Sequence, residues 1–268
     1  MKRNLVLFLV LTFLLTWAVE VPEVLYKYKF TTLHIPTWFR NMATWAPGLV
    51  AITLAIVHRR RQGLKELLKP LVQFRRPIKW YFFALFCGSV VSLISFYTYK
   101  VLSGKVLALD PPYSLIFIIL IVIPFSPLWE EIGWRGYALP LLQNKYTPVT
   151  ASLILGFFWG LWHLPMYMAL SNYGDKRMLF FMIVFIGCFP LSILQSWVYN
   201  NTKQSLLLCV LFHAGVDGSV GYFFQNLPNN DLMPLAIVTG LFFSMAAGVI
   251  IISKGKLGYL VKPKEASA

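Results

Sequence analysis

Residues 205–225 read SLLLCVLFHAGVDGSVGYFFQ, and in these 21 positions His213 and Asp217 are the only members of the group His, Asp, Glu, Lys and Arg. A helix needs about 20 mostly apolar residues to cross the hydrocarbon core of a membrane. The stretch therefore predicts a membrane span. An ionisable side chain at that depth costs about 3 kcal/mol or more unless it is paired or functional. The same stretch therefore also contains candidate site residues.

The rest of the chain repeats this apolar pattern. Its 268 residues are 58% hydrophobic and 13% charged, with a mean hydropathy of +0.66, which leaves too little polar surface for a water-soluble globule. We predict an all-α, polytopic membrane helix bundle of about eight transmembrane helices. The predicted spans are residues 5–22, 42–57, 80–99, 113–129, 148–170, 178–199, 205–225 and 233–253.

These spans divide the chain into three predicted regions. The first span follows the basic start Lys2-Arg3 but lacks a small-x-small cleavage site, so we interpret it as a retained helix and not as a removed signal peptide. Residues 1–112 hold spans one to three, and residues 113–225 hold spans four to seven, which carry the polar candidates discussed below. Residues 226–268 contain the last span and a basic tail.

The formal net charge of +14 comes from basic residues that cluster between apolar runs and form no single basic patch, so we predict no nucleic-acid partner. Residues 58–79 carry eight Lys and Arg against one Glu, which marks a cytoplasmic loop. Within it, residues 63–74 are predicted to form an amphipathic helix on anionic membrane lipid. Placing both termini in the cytoplasm puts 17 of the 24 Lys and Arg inside. We therefore predict a multi-pass protein of a bacterial cytoplasmic membrane, with no oligomeric state specified.

The first polar cluster, residues 129–135, reads WEEIGWR. Glu131 and Arg135 are four residues apart with the acid first, which favours an ion pair on one helix face. Glu130 points about 100° away on a helix of 3.6 residues per turn and has no obvious partner nearby in the sequence. Glu130 is therefore the better candidate for a general base.

Two histidines supply the other clusters. Residues 157–165 read FFWGLWHLP, in which Trp159 and His163 share one helix face, although a single histidine on an apolar helix is more often a packing residue. His213 and Asp217 are also four residues apart. This spacing fits a carboxylate that orients an imidazole, two ligands of one metal ion, or a hydrogen-bonded pair between helices.

A count of residues along the helices gives different membrane depths for His163 and His213. At 1.5 Å per residue from the cytoplasmic helix starts, His213 lies roughly 12 Å deep and His163 roughly 22 Å deep. A tilted or later-starting fifth helix, or a fourth helix that continues past Glu130 toward Tyr137, would bring the clusters together. We expect them to meet in the cytoplasmic half of the membrane.

The three clusters, in this order on three hydrophobic segments, resemble the CPBP family, which comprises the type II CAAX prenyl endopeptidases and the bacterial relatives called Abi proteins. The resemblance covers roughly residues 128–218. It rests on an EExxxR motif, an aromatic-xxx-His motif in which phenylalanine is more usual, and a His-xxx-Asn motif with Asp in place of Asn. The matching residues are Glu130, Glu131, Arg135, Trp159, His163, His213 and Asp217.

The resemblance implies an intramembrane endopeptidase that cleaves a membrane-embedded or membrane-proximal bond in a hydrophobic peptide or membrane protein. Substrates would enter laterally or from the cytoplasmic face. Glu130 would activate the attacking water with His163, while His213 and the residue at position 217 would stabilise the oxyanion. The remaining motif residues, Glu131 and Arg135, would hold the site together.

Asp217 departs from this pattern in a chemically relevant way. Asparagine can donate a hydrogen bond to an oxyanion, whereas an ionised aspartate can only accept one. Asp217 is therefore protonated, or orients His213, or binds a divalent metal such as Zn²⁺ together with His163 and His213. A metal would polarise the carbonyl and acidify the water. Without a metal, no cofactor is expected.

Other functions were weighed against this one. The chain has no HExxH and no GxSG motif, and residues 215–218 match the GxGD of aspartyl intramembrane proteases only in part. A non-enzymatic alternative is a proton-coupled transporter, or a bacteriocin-immunity or partner-binding protein, in which the buried acids and histidines relay protons or bind a partner. Paired interrupted helices in two matching halves, expected of many transporters, are not apparent. An inactive scaffold is a third alternative.

Overall fold

A computed structural model describes residues 2–105, 111–170, 173–225 and 231–259. Within these ranges the regular elements are helices and no strand occurs, which confirms the all-α prediction. The α-helices, in chain order, are α1 (Lys2–Lys27), α2 (Thr37–Met42), α3 (Ala46–Leu68), α4 (Ile78–Ser103), α5 (Pro112–Val122), α6 (Pro127–Gly133), α7 (Leu139–Gln143), α8 (Pro148–Trp162), α9 (Leu164–Met168), α10 (Arg177–Asn201), α11 (Leu206–Phe224) and α12 (Met233–Ile252).

The described residues contain seven helical segments that are long and apolar enough to cross a membrane. An eighth is a bent pair, Tyr113–Val122 followed by Pro127–Gln143, whose two limbs meet at 45°. Helices predominate because backbone groups inside hydrocarbon must find their hydrogen-bond partners within the chain. With the bent pair counted as one span, the bundle has the eight spans that the sequence predicts.

The bent span corrects the predicted fourth span, residues 113–129. The helix stops at Val122 because Pro124 restricts the residue before it and has no backbone N–H, and Pro127 begins a new helix after a short turn. The second limb then continues through a π-helical stretch, Trp134–Ala138, to the end of α7. Glu130 therefore lies in the first turns of the second limb and not at the end of a span, and the fourth helix does run past Tyr137.

The predicted second span, residues 42–57, is followed by a sharp change of direction. Arg60 has a positive φ of 49°, a left-handed conformation that residues with a Cβ rarely adopt. The part of α3 after Arg60 folds back on the part before it. The close contact shows this, since a Cβ built on Gly63 would lie only 2.3 Å from the Ala55 carbonyl oxygen. The basic helix therefore begins earlier than the predicted residues 63–74.

Two contacts define one end of the helix bundle. The Arg76 Nε donates to the Thr202 carbonyl oxygen at 2.5 Å, and the Asn201 side-chain amide donates to the Leu257 carbonyl oxygen at 3.2 Å. The basic residues 58–79 and the chain after α12 therefore lie together, where α10 ends and α11 begins. We call this the basic end. The distal end is the opposite one, where α10 begins and α11 ends.

Helix α11 lies at the centre of the bundle. Within its most hydrophobic window 72% of the residues are buried, against 17% for α12 at the periphery. Close backbone contact with α4 holds it there, since a Cβ on Gly88 would lie 2.5 Å from the Gly215 carbonyl oxygen. Small residues permit such close helix packing in membranes. The position of His213 and Asp217 is thus fixed by the helix that carries them.

Candidate active site

The three polar clusters meet at one cavity of about 680 Å³. Its lining includes Glu130 from α6, His163 at the junction of α8 and α9, and His213 and Asp217 from α11. Glu131 and Arg135 are fully buried and are not among the lining residues. The structure therefore separates the predicted site residues into four that face the cavity and two that lie behind it.

Glu130 is buried and held at both carboxylate oxygens. The Ser126 hydroxyl donates to Oε1, and the Trp159 Nε1 donates to Oε2 at 2.7 Å. Ser126 is four residues earlier in the turn between α5 and α6, so the expectation that Glu130 lacks a local partner was wrong. Both carboxylate oxygens are thereby fixed in position, as the side chain of a general base must be.

Behind the cavity, Glu131 joins two helices. Its Oε1 accepts a hydrogen bond from the Arg135 guanidinium at 3.0 Å and another from the His213 Nδ1 at 2.8 Å. The predicted ion pair with Arg135 is therefore present. Arg135 also lies against the ring of Trp159, with its guanidinium carbon 4.4 Å from the ring centre. Glu131 is thereby the link between α6 and α11.

His163 presents one ring nitrogen to the cavity. Its Nδ1 lies 2.8 Å from the Trp159 carbonyl oxygen. Because a carbonyl can only accept, Nδ1 carries the proton and the neutral ring has its lone pair on Nε2. The nitrogen available to a ligand in the cavity is therefore Nε2, which can accept a proton or a hydrogen bond.

His213 lies between two carboxylates. Its Nδ1 donates to Glu131, and its Nε2 is 3.3 Å from the Asp217 Oδ2. Among the options left open for Asp217, this geometry fits a carboxylate that orients an imidazole. The Asp217 side chain is 45% exposed and lines the cavity, so the far side of its carboxylate faces open space.

Trp159 contacts each part of the site. Its indole N–H binds Glu130, its carbonyl binds His163, its ring face lies against Arg135, and its ring centre is 5.3 Å from that of His213 in an edge-to-face arrangement. Phenylalanine, the more usual residue in this motif, could provide the ring contacts but not the donor to Glu130.

We expect Trp159→Phe to lower kcat by about 10- to 100-fold with little change in KM, because a hydrogen bond to a charged group contributes about 1.5–3 kcal/mol. Cleavage kinetics of the purified protein would measure this. Trp80→Phe is the matched control, since Trp80 is also buried but packs against Phe83 and Trp197, outside the cavity. Equal losses in both variants would contradict a specific role for the Trp159 donor.

Away from the polar residues the cavity is apolar. Its walls come mainly from α10, α11 and α12, and at the distal end it is bordered by Tyr173, Gln225 and Asp231. Asp231 accepts hydrogen bonds from the Tyr99 hydroxyl and the Lys105 ammonium, and these donors lower the pKa of Asp231 below its ordinary value. The apolar residues of the walls include Phe180, Val184, Leu191, Val216, Val220, Leu235, Val238 and Phe242.

The number of residues between the site and the basic end differs from one helix to the next. Glu130 is 13 residues from the end of α7 at Gln143, and His163 is 15 residues from the start of α8 at Pro148. At 1.5 Å per residue these separations are about 20 Å and 22 Å. His213, which contacts Glu131, is seven residues, or about 10 Å, from the start of α11 at Leu206, so the common level in the cytoplasmic half stays a prediction.

A second buried polar cluster was missed by the sequence analysis. Glu20 and Glu23 lie inside α1 and are 2% and 1% exposed. The Arg40 guanidinium donates to Glu20 at 2.8 Å, and the His34 ring lies 2.9 Å from Glu23. Their partners lie 11 and 20 residues away, in the polar connection after α1. The spacing of residues within one helix therefore could not indicate these ion pairs.

The three residues considered as metal ligands, His163, His213 and Asp217, are not grouped around a common point in the described part of the chain. No group of three His, Cys, Asp or Glu side chains in the described parts of the chain is placed to hold a metal. Both His213 nitrogens already face carboxylates, and the His163 Nδ1 faces a carbonyl. Since a catalytic zinc ion usually takes three protein ligands, the arrangement of His163, His213 and Asp217 does not fit one.

The site and the fold together define a class, that of multi-pass helical membrane proteins with a buried carboxylate and imidazole centre. Comparison with known proteins narrows the class, because residues 112–219 match the family described as type II CAAX prenyl endopeptidase Rce1-like. The chain is also similar to CAAX prenyl protease 2 of Methanococcus maripaludis, with 30% identity over 145 residues. That alignment covers 51% of this chain and 50% of the relative, so the chain spans about half the length of the curated relative.

The resemblance to the CPBP and CAAX endopeptidase family is thus confirmed for the part of the chain that holds the site. The matched region includes the bent span, α8 to α10 and the part of α11 that carries His213 and Asp217. Its apolar helices and this family relationship establish an integral, multi-pass membrane protein.

Proposed function

We propose that this protein is an intramembrane endopeptidase that hydrolyses a peptide bond in a hydrophobic, membrane-embedded or membrane-proximal substrate. The observation that carries the proposal is the cavity in which the Glu130 carboxylate and the free Nε2 of His163 face the same space. A carboxylate fixed by two donors and a neutral imidazole are groups that can activate a water molecule. The match of residues 112–219 to an endopeptidase family supports the same reaction.

In the proposed reaction, Glu130 takes a proton from water as the water oxygen attacks the carbonyl carbon of the substrate. His163 accepts a hydrogen bond from the same water through Nε2 and orients it. The tetrahedral intermediate then collapses, the bond from carbon to nitrogen breaks, and the proton held by Glu130 passes to the leaving amine. These are the general base and general acid steps expected of one carboxylate.

We assign stabilisation of the substrate oxyanion to His213. Its Nδ1–H is directed at the Glu131 carboxylate, and in the proposed reaction its Nε2 carries a proton that is shared between Asp217 and the substrate oxygen. That N–H can donate to the developing negative charge, as oxyanion donors do. Asp217 and Glu131 then orient the ring, and the fully buried Arg135 positions Glu131 without contacting the substrate.

The substrate class follows from the walls of the cavity. Large apolar side chains from three helices line it, which suits a hydrophobic segment better than a polar peptide. The similar archaeal protein is named a CAAX prenyl protease, so a prenylated peptide is one substrate to test. No observation in the structure favours a transporter or an immunity protein over this reaction.

The test is a cleavage assay on purified protein in detergent micelles or nanodiscs. The panel comprises a prenylated CAAX peptide, the same peptide without the prenyl group, and unmodified hydrophobic peptides, with products identified by mass spectrometry. We expect at least one apolar member to be cut by the native chain and none by Glu130→Gln. No cleavage of any member, or equal cleavage by the variant, would count against the proposed reaction.

We also expect cleavage to persist after exhaustive dialysis against EDTA, because the described side chains do not form a three-ligand metal site. The measurement is the initial rate before and after dialysis, with metal content determined on the same samples by mass spectrometry. The native chain before dialysis is the control. A loss of activity that Zn²⁺ restores would contradict this prediction and return the metal to the mechanism.

A further inference from the structure

Thr44 is a cavity residue that lies outside the region matched to the family. It belongs to a short 3₁₀ turn, Ala43–Trp45, between α2 and α3, and it lines the cavity together with Ser126 and Glu130. Among the described residues before position 112, where the match begins, it is the only one in the lining. The family relationship therefore assigns no role to Thr44. Its contacts in the structure indicate one.

Two side chains of this turn hold one backbone carbonyl, that of Phe125 between the limbs of the bent span. The Thr44 hydroxyl donates to the Phe125 oxygen at 2.8 Å, and the Trp45 Nε1 donates to the same oxygen at 2.9 Å. The hydroxyl is also 2.8 Å from the Asn41 carbonyl oxygen, so Trp45 is the donor that remains when the hydroxyl turns to Asn41. No backbone N–H in the described part of the chain donates to this carbonyl. The two side chains therefore fix the orientation of the Phe125 peptide group.

The Phe125 peptide group leads directly to the proposed general base. A peptide unit is planar, so fixing the Phe125 oxygen also fixes the nitrogen and Cα of Ser126. The Ser126 hydroxyl donates to the Glu130 carboxylate, and its carbonyl oxygen accepts from the Glu130 backbone N–H at 3.0 Å. In addition, the ring of Trp45 stacks on that of Trp129, the residue before Glu130, with ring centres 5.3 Å apart. The turn at residues 43–45 therefore holds the segment around Glu130 at two points.

The turn is itself attached to α1 by polar contacts. The Arg40 guanidinium donates to the Glu20 carboxylate at 2.8 Å and 3.0 Å, and the Thr16 hydroxyl donates to the Ala43 carbonyl oxygen at 3.1 Å. Glu20 and Thr16 are buried in α1. Helix α2, which carries Arg40, has no buried residue, so these polar contacts are its firm attachment to α1. The second buried polar cluster thereby holds the two donors beside the bent span.

From these contacts we infer that Thr44 and Trp45 are positioning residues for Glu130, because they fix the turn that carries the hydrogen-bond donor to its carboxylate. The effect on cleavage rests on the proposed function, whereas the anchoring of the turn rests on the contacts alone. The N-terminal helices are then a working part of the site, although they lie outside the matched region. Either donor alone can occupy the Phe125 carbonyl, so the loss of both should exceed the sum of the single losses.

The test uses variants that remove a donor and keep the shape of the side chain. We expect Thr44→Val and Trp45→Phe each to lower kcat by about threefold or less, and the double variant to lower it by about 10- to 100-fold, with KM unchanged. Thr44→Ser in place of Thr44→Val keeps the hydroxyl and should restore most of the rate in the presence of Trp45→Phe. The controls are Thr98→Val, whose hydroxyl donates within α4, and Trp38→Phe on the exposed side of α2, both outside the cavity.

Two further measurements separate positioning from a general loss of stability. On a Ser126→Ala background, the Thr44 and Trp45 changes should lower kcat little further, because the donor that they position is already absent. Hydrogen–deuterium exchange of peptides covering residues 123–131 should be faster in the double variant than in the native chain, with exchange in α10 unchanged. The single variants give the same readout with a smaller effect, so the test does not depend on the folding of the double variant.

Three outcomes would overturn the inference. The first is a double variant whose loss of kcat equals that of the controls. The second is an equal further loss of kcat on the Ser126→Ala background. The third is unchanged exchange at residues 123–131 in all variants. If the native chain cuts no peptide of the panel, the proposed function fails, and the exchange experiment still decides whether Thr44 and Trp45 anchor the turn.

Discussion

Glu130→Gln should lower kcat/KM for peptide cleavage by about 10³- to 10⁴-fold, the upper range of what a positioned general base contributes. Glutamine has the same size and can still accept the hydrogen bond from Trp159 through its side-chain oxygen. It cannot take the proton from water at neutral pH. The loss should therefore fall on kcat, with substrate binding and the fold retained. Initial rates on the best substrate of the peptide panel measure this.

The control for this variant is Glu66→Gln. Glu66 is exposed in the basic segment, where it pairs with Arg59 and Gln62, far from the cavity. Its substitution removes the same charge and should leave turnover unchanged. If a correctly folded Glu130→Gln protein keeps the native rate, then Glu130 is not the base and the assignment of the cavity to catalysis is wrong.

Glu131→Ala is expected to lower the free energy of unfolding by about 3–5 kcal/mol, since it leaves the guanidinium of Arg135 buried without its carboxylate. It also removes the acceptor that holds the His213 Nδ1. The loss should be visible as an earlier transition in thermal or denaturant unfolding in detergent. A second effect on cleavage should follow, because α6 and α11 lose their link.

A double variant separates charge from packing in this prediction. Glu131→Leu combined with Arg135→Met removes both buried charges and fills the space with apolar atoms. Replacing a buried pair in this way is often neutral or stabilising, so the double variant should unfold later than Glu131→Ala. Equal destabilisation in the two proteins would mean that the fold depends on the hydrogen bond to His213 and not on the unpaired charge.

Much of this architecture could be predicted from the sequence. Long apolar runs predict spans because lipid imposes internal backbone bonding, and the spacing of four between Glu131 and Arg135 and between His213 and Asp217 predicts the two contacts that occur at 3.0 Å and 3.3 Å. The order of the three polar clusters along the chain also indicated which family the chain resembles. These are local patterns, and local geometry reproduces them in the folded chain.

The parts that could not be predicted depend on distant contacts. The hydrogen bond from Trp159 to Glu130 joins residues 29 apart, and the one from His213 to Glu131 joins residues 82 apart. The break before Pro127 places Glu130 near the start of the second limb of a bent span and not at the end of a straight one. Spacing along one helix contains no information about either effect.

The backbone contact between Gly88 and Gly215 has a mechanical consequence for the site. With no side chain between them, α4 and α11 behave as one rigid wall, and His213 and Asp217 are fixed to it. The first limb of the bent span packs on the same wall, since a Cβ on Gly218 would lie 2.9 Å from the Ile119 Cα, and Glu131 holds the second limb to it through His213. Backbone packing and one buried hydrogen bond thus preset the spacing between Glu130 and the imidazole of His213, so the two groups need no rearrangement to face one cavity.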